Sequence, residues 1–487
     1  MAPSCHRPSL ARRQPLPDTL LNVGSHSAEG TRNVVLPGFP QGFRWGVSTA
    51  SYQIEGAVRE DGRGPSIWDT FTHQPGRIKN GDTGDVACDH YHRWPEDVAL
   101  MADLGIDAYR FSIAWPRVQP TGRGTPNTAG LGFYDRLVDA LLEHGIKPLP
   151  TLLHWDLPQA LQDAGGWMNR DTAYHFADYS AVVTARLGDR VKSWITLNEP
   201  IVHLAYGYAF GMHAPGEALM FDAMPVAHHQ LLAHGLATAV LRGSGAEEVL
   251  IANNCTPVRA ASEQPEDAAA AEIYDAFHNR LFLDPILLGT YPDLSAMGLP
   301  ADPEFVEPGD LEIISTRIDG LGVNYYNPTR IAAADPAATG LPFDFREFEG
   351  VPRTAFGWPV IPEGLTELLV GLKERYGDAL PPITITENGC STADEPAAAD
   401  EDGTVGAVHD AARIEYLESH INALYRAIEA GVDVRGYLTW SLLDNFEWAE
   451  GYSQRFGLVR VDFETLRRIP KDSYHWYRAA LAAQRKG

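Results

Sequence analysis

Short runs of β-branched and aromatic residues alternate with longer amphipathic stretches along most of the chain. After each run comes a loop rich in Gly, Pro or polar residues, and then apolar positions with the spacing of a helix face. Eight runs predict strands, at residues 43–49, 108–114, 147–154, 191–197, 249–253, 320–326, 382–386 and 435–440. The intervening patterns predict helices at 94–104, 131–143, 171–187, 228–241, 268–281, 364–376 and 411–430.

Eight strands that alternate with helices predict an α/β fold with a parallel sheet, and eight is the number that closes a (β/α)8 TIM barrel. An open doubly wound sheet is the alternative, but no G-x-G-x-x-G turn follows the first run. We predict one catalytic domain over residues 37–483. Residues 1–36 have no periodicity and are expected to form a disordered extension. Insertions at 332–349 and 393–410 are either borders of a pocket or plain surface loops.

Composition narrows the possible partners. The 39 Lys and Arg against 64 Asp and Glu leave a formal charge of −25, which argues against nucleic acid and anionic membranes. No apolar stretch approaches the ~20 residues of a membrane span, and no apolar segment of a secretory signal follows the basic start. Four cysteines in 487 residues do not make a disulfide framework, so we expect reduced thiols and a cytoplasmic protein.

Two acidic motifs stand where predicted strands end, Thr-Leu-Asn-Glu-Pro at 196–200 and Thr-Glu-Asn-Gly at 386–389. Side chains at the carboxyl ends of barrel strands face one pocket. Two facing carboxylates suit the cleavage of a glycosidic bond, in which one protonates and the other attacks. Pro200 keeps Glu199 out of the α region, and Gly389 permits a tight exit from the strand. Taken alone, either motif is as well explained by a helix N-terminus or a turn.

Five further motifs occur in order at 43–56, 109–117, 153–158, 322–326 and 440–448. Together with the acidic motifs they resemble glycoside hydrolase family 1, the β-glucosidases and related retaining β-glycosidases, over about residues 37–480. The resemblance implies a retaining β-glucosidase that releases terminal non-reducing β-D-glucosyl residues from cellobiose, short cello-oligosaccharides or aryl β-glucosides. It implies a covalent glycosyl-enzyme intermediate, a small carbohydrate as partner, and neither metal nor organic cofactor.

The resemblance assigns the general acid/base to Glu199 and the nucleophile to Glu387. Glu387 must be ionised to attack, whereas Glu199 must hold a proton near neutral pH. A neighbouring cation favours the charged form of one carboxyl, and that charge raises the pKa of the other. The family places Arg110 beside the nucleophile, lets Tyr326 donate a hydrogen bond to it, and sets Asn324 at the pocket floor. Retention predicts carboxyl groups about 5–5.5 Å apart.

Sugar recognition needs planar hydrogen-bonding groups and an aromatic face. The resemblance implies substrate contacts at Gln53, His154, Trp155, Asn198, Trp440, Glu447 and Trp448. It also implies a leaving-group side formed by Trp167, Asn254 and Trp358. The histidines at 90 and 92, near Cys88, and those at 228, 229 and 234 lack the spacing of a metal site, so no metal is expected.

Three alternatives keep the fold and change the function. β-Galactosidase or β-fucosidase activity stays open, because those sugars differ from glucose only in the orientation or absence of single hydroxyls. A 6-phospho-β-glycosidase is disfavoured, because Glu447 would repel a phosphate and the family's phosphate-binding Ser-Lys-Tyr is missing. A non-catalytic sugar-binding protein is disfavoured because both carboxylates are present.

Overall fold

The predicted barrel is confirmed by a computed structural model, which describes residues 36–300, 303–394 and 406–485. Eight parallel strands close on themselves, the last pairing with the first from Arg44↔Gly436 to Ser48↔Trp440. In chain order they are β1 (Arg44–Ser48), β2 (Ala108–Ser112), β3 (Lys147–Leu153), β4 (Ser193–Asn198), β5 (Glu248–Asn254), β6 (Gly320–Asn324), β7 (Ile383–Asn388) and β8 (Val434–Trp440). The predicted disordered extension lies outside the described residues except for Leu36.

Each predicted helix has a counterpart within a few residues. The longer helices are His90–Leu104, Thr128–Glu143, Asp171–Leu187, Met224–Gly243, Pro265–Asp275, Leu281–Leu288, Glu363–Tyr376, Ala411–Glu429 and Asp472–Gln484, and π-helical segments occur at His203–Ala209 and Ala276–Arg280. Of these, Leu281–Leu288 and Asp472–Gln484 were not predicted. Within the described ranges, no helix is both long enough and apolar enough to cross a bilayer.

The barrel interior changes character along the strands. Away from the carboxyl ends of the strands, the interior is filled by a buried apolar layer formed by Ala108, Leu149, Ile195, Leu250, Ala252 and Leu438. Near the carboxyl ends the inward side chains become polar and charged, and Arg110, Asn198 and Glu387 are at most 3% exposed there. Buried polar groups need partners. The chemistry of the molecule is therefore concentrated at one end of the barrel.

The insertion at 332–349 is not a plain surface loop. Its strand Phe343–Phe345 pairs with Thr329–Ala333, which in turn pairs with Val258–Ala260. Residues 345–348 line the same cleft as Glu199, so this insertion borders the predicted active site. Most of the second insertion, 393–410, lies outside the described residues. A further small sheet pairs Val459–Val461 with Arg468–Pro470 after β8.

Candidate active site

Glu199 stands directly after β4 at a strained corner. Its backbone lies in the left-handed region (φ 43°, ψ 60°), which is uncommon for a residue other than glycine. Pro200 begins a short helix behind it, and the Glu199 N–H donates to the Ala252 carbonyl at 2.7 Å. The Oε1 atom accepts from the side-chain amides of Asn324 (2.8 Å) and Asn254 (3.0 Å). The described hydrogen-bond partners of this carboxyl group are thus neutral amides.

Glu387 belongs to β7 and has charged and phenolic partners. Its Oε1 accepts from Arg110 Nη1 at 2.5 Å, and its Oε2 accepts from the Tyr326 hydroxyl at 2.7 Å. Gly389 follows for a reason other than the predicted turn. Its φ is not positive, but a Cβ there would lie 1.8 Å from the Trp440 carbonyl oxygen. The close approach of β7 to β8 therefore requires glycine.

A hydrogen-bonded floor joins the two carboxyl groups. Arg110 Nη2 donates to Asn198 Oδ1 at 2.5 Å, and Asn324 Nδ2 donates to the same oxygen at 3.0 Å as well as to Glu199. Three strands, β2, β4 and β6, supply this floor, so neither Glu can shift without disturbing the floor residues. The structure brings Glu199, Glu387 and the three predicted supporting residues into one connected set.

The electrostatics of the two carboxyl groups differ. Burial and, next to it, the charge of Glu387 together raise the pKa of Glu199 to about 8, while the Asn324 and Asn254 amides oppose the rise. Burial also raises the pKa of Glu387, but the Arg110 guanidinium and the Tyr326 hydroxyl act against that rise. The negative charge is best stabilised on Glu387, because Arg110 bonds to it directly.

Glu447 is a third carboxyl group in the cleft. Its pKa is raised to about 8 by burial and then by the charges of Glu387 and Glu199. The charge of Glu387 raises the pKa of both other acids, so the titrations of the three groups are coupled. A protonated Glu447 can donate a hydrogen bond to a ligand hydroxyl as well as accept one.

The predicted sugar contacts meet at the inner end of the cleft. Gln53 donates to the Phe446 carbonyl at 2.9 Å and lies 3.4 Å from Glu447 Oε2, while Asn198 Nδ2 contacts His154 Nε2 at 2.9 Å. Burial and Arg110 keep the pKa of His154 well below its ordinary value, so its ring is neutral. Gln53 Oε1 and His154 Nδ1 are buried without a hydrogen-bond partner in the described structure. A ligand hydroxyl would satisfy them.

Aromatic rings enclose the same end. The His154 ring is stacked 5.8 Å from both Trp440 and Trp448, and Trp155 lies 4.6 Å from Trp448. Trp155 also donates its indole N–H to the Asn198 carbonyl at 2.8 Å. These rings supply the apolar face that the C–H groups of a sugar ring need.

The three residues predicted on the leaving-group side have different surroundings. Asn254 contacts Glu199, and Trp358 lines the cleft, packed 5.1 Å from Tyr326. Trp167 is fully buried and packs against Phe176, and it is not among the described residues that line the cleft. Its place on the leaving-group side stays a prediction.

Several cleft residues escaped the sequence analysis. The cleft has a volume of about 540 Å³, and its unpredicted lining includes Tyr206, His213, His278, Phe348 and Arg353. His278 Nε2 bonds to Asn254 Oδ1 at 3.0 Å, and the Tyr274 hydroxyl bonds to His278 Nδ1 at 3.1 Å. No local motif marks His278, because it lies inside a stretch that reads as an ordinary helix. Only the π-helical segment Ala276–Arg280 distinguishes it.

A buried network of ion pairs holds the loop after β8, and this loop carries Glu447. Asp444 accepts from Lys471 at 2.8 Å and from Arg455 at 2.7 Å, and it also accepts from the Gly457 N–H at 3.0 Å. These bonds tie Asp444 to three points outside its own turn and so fix the shape of the loop. In the part of the chain that the structure describes, no three metal-ligating side chains converge.

Comparison with known proteins points to the same family that the sequence motifs resemble. The family model "Glycosyl hydrolase family 1" matches residues 36–486. Beta-glucosidase A of Thermotoga maritima is 48% identical over 444 residues, covering 90% of this chain and 96% of that protein. The bifunctional beta-D-glucosidase/beta-D-fucosidase of Bifidobacterium breve is 48% identical over 469 residues, covering 91% and 98%. The solved structure of a family 1 β-glucosidase from Thermotoga maritima in complex with glucoimidazole superimposes with a TM-score of 0.86 at 48% identity, covering 92% and 99%.

Proposed function

Because the chain belongs to glycosyl hydrolase family 1 and is a β-glucosidase, we propose that Glu387 is its nucleophile and Glu199 its acid/base. The substrates proposed are cellobiose, short cello-oligosaccharides and aryl β-glucosides. The observation that carries the assignment is the unequal bonding of the two carboxyl groups. Arg110 and Tyr326 hold Glu387, whereas the described donors to Glu199 are two amides and its pKa is raised to about 8.

The first step forms a bond between Glu387 and the anomeric carbon. The bond from that carbon to the leaving oxygen breaks, and Glu199 gives its proton to that oxygen. Glu387 is then an uncharged ester, so it no longer raises the pKa of Glu199. Glu199 can therefore accept a proton from water, which attacks the ester and restores Glu387. Two inversions leave the β configuration unchanged.

Proton NMR of the first-formed sugar tests this mechanism. Hydrolysis of an aryl β-glucoside should release β-glucose before mutarotation, since the expected separation of about 5–5.5 Å leaves no room for a water between the carboxyl groups. An initial α-anomer would refute the assignment of a nucleophile. Glu387→Ala should abolish turnover and leave glucose binding measurable by calorimetry, whereas a sugar-binding protein without catalysis would lose little of its function.

One relative favours activity on a second sugar beside glucose, because it is named for both glucosidase and fucosidase activity. β-Galactosides differ from glucosides in the orientation of hydroxyl 4, and β-fucosides differ there and also lack hydroxyl 6. A panel of kcat/KM values on p-nitrophenyl gluco-, galacto-, fuco- and mannosides, with cellobiose, ranks them. Dominant activity on an α-linked or phosphorylated sugar would contradict the proposal.

We also propose a cytoplasmic location and a part in cellulose breakdown at the stage of short oligosaccharides. Support for the former is the set of buried free thiols Cys88, Cys255 and Cys390. Fractionation of the producing cells, with activity compared between the medium and the lysate, tests the location. Growth on cellobiose with and without the protein tests the role.

A further inference from the structure

The loop after β8 forms a strained turn at residues 447–451. Trp448 lies in the left-handed region with φ 46°, although it is not a glycine, and Gly451 has φ 58° and ψ −129°. The turn is closed by the Glu447 N–H, which donates to the Gly451 carbonyl at 2.7 Å. Left-handed backbone at a residue other than glycine is unfavourable and persists only where the surrounding structure holds it. The contacts at the two ends of this turn therefore decide where Glu447 lies.

The first end of the turn is held from inside the barrel. The Phe446 N–H donates to the Gln53 carbonyl at 3.1 Å, and Gln53 Nε2 donates to the Phe446 carbonyl at 2.9 Å. The Trp448 ring packs 4.5 Å from Trp68 and 4.6 Å from Trp155. Gln53 and Trp155 are themselves predicted sugar contacts, so a substitution at this end would disturb the cleft directly.

The second end is held by a segment between β1 and the helix His90–Leu104. Asp82 Oδ2 accepts from the Tyr452 N–H at 2.9 Å, and the Tyr452 hydroxyl donates to the Thr83 carbonyl at 2.7 Å. The approach is close, since a Cβ on Gly451 would lie 2.3 Å from Asp82 Oδ2. None of Asp82, Thr83 and Tyr452 is among the described residues that line the cleft. These three residues, called the outer anchor below, therefore act on a bound sugar only through the turn.

We propose that Asp82 is a positioning residue for sugar recognition, because it fixes the turn that carries Glu447. The inference rests on the proposed function, in which Glu447 binds the glucosyl ring. No described hydrogen bond joins Glu447 to Glu199 or Glu387, which act at C1, so Glu447 faces the part of the ring that bears hydroxyls 4 and 6. Asp82 thereby sets how strongly the enzyme prefers a glucoside to a sugar without hydroxyl 6.

The ratio of kcat/KM on p-nitrophenyl β-glucoside to kcat/KM on p-nitrophenyl β-xyloside tests the proposal. The xyloside has the same leaving group but lacks C6 and its hydroxyl, so the ratio reports recognition at that end of the ring. Asp82→Ala should lower the ratio about fivefold, because the turn loses a hydrogen bond that fixes it. Tyr452→Phe removes the bond to the Thr83 carbonyl and should lower the ratio by a smaller factor.

Two further variants distinguish the anchor from its neighbourhood. Asp82→Asn keeps an oxygen that accepts from the Tyr452 N–H, so the ratio should stay within about twofold of the wild-type value. Lys79→Gln is the matched control, because it removes a 2.8 Å ion pair with Glu450 between the same two segments. The two side chains of that pair are 50% and 34% exposed, and exposed ion pairs contribute little. Lys79→Gln should leave the ratio unchanged.

A double-variant cycle shows whether Asp82 acts through Glu447. Adding Asp82→Ala to Glu447→Ala should lower the ratio no further, because the carboxyl group that Asp82 positions is already absent. Two independent losses that multiply in the double variant would overturn the inference.

The remaining outcomes are distinguishable. An unchanged ratio in Asp82→Ala and Tyr452→Phe overturns this inference, and so does an equal fall on both glycosides, which is what a purely structural role produces. In both cases the proposed function stands. Tyr452→Phe decides the matter if Asp82→Ala does not fold. Failure of the wild-type protein to hydrolyse any β-glucoside overturns the proposed function itself.

Discussion

The ends of β4 and β7 carry the same side chain in different surroundings. Glu199 and Glu387 are 5% and 3% exposed, so burial does not distinguish them. Glu387 is bonded to a guanidinium and a phenol, whereas Glu199 is bonded to two amides. A cation that bonds to one carboxyl directly stabilises its charge, and that charge favours the proton on the other. The division of labour therefore comes from residues that other strands contribute.

Removing the nucleophile should have the largest effect. Glu387→Gln keeps the shape of the side chain but cannot form the glycosyl ester, so kcat on p-nitrophenyl β-glucoside should fall by at least about 10⁴-fold. Glu248→Gln is the control, because Glu248 lies at the amino end of β5 and pairs there with Arg44 at 2.6 Å. It should keep kcat within about twofold. Residual activity of Glu387→Gln near one per cent would contradict the assignment.

Removing the acid should have a smaller effect that depends on the leaving group. Glu199→Gln should lower kcat/KM on cellobiose by about 10²–10⁴-fold, the usual contribution of general acid catalysis. A nitrophenolate leaves without protonation, so kcat/KM on its glucoside should fall much less. Steady-state kinetics on both substrates checks this difference. Equal losses would show that Glu199 is not the acid.

Weakening the support of Glu387 should act through pH. Tyr326→Phe removes the 2.7 Å hydrogen bond to Oε2, which favours the charged carboxylate. Its loss raises the pKa of Glu387, so the acid limb of the kcat/KM profile should move to higher pH, with about a tenfold loss of kcat/KM at neutral pH. Tyr325→Phe is the matched control, since the Tyr325 hydroxyl donates to Ile361 instead. An unchanged acid limb in Tyr326→Phe would contradict the proposed support.

The smallest effect is expected at Asn254. Asn254→Leu removes a 3.0 Å hydrogen bond that lowers the pKa of Glu199, so that pKa rises above its value of about 8. Glu199 acts protonated, and activity falls as pH rises through its pKa. The alkaline limb should therefore move to higher pH, with a loss of only a few-fold at neutral pH. Asn253→Leu, next to it but without a described hydrogen-bond partner, should leave the limb in place. A shift of the limb to lower pH would refute the assigned contact.

Prediction from sequence succeeded where a local pattern carries the information. All eight barrel strands were predicted, because alternating β-branched runs and helix patterns report on backbone conformation directly. It did not reveal that Trp167 is fully buried against Phe176, because that burial is a tertiary contact. It gave an incomplete reason for Gly389, because the approach of the Trp440 carbonyl is a contact between strands. His278 carries no motif, and its role follows only from its bond to Asn254.

The amino-acid sequence alone determined the barrel, the two acidic motifs at strand ends and, through their order, the family. Those properties are local, because each is encoded by a few neighbouring residues. The tertiary structure decided which carboxyl group holds the charge and which aromatic residues reach the cleft. It also decided that Asp82 bonds to the loop that carries Glu447. These depend on distances between residues far apart in the chain, and only the closed barrel sets those distances.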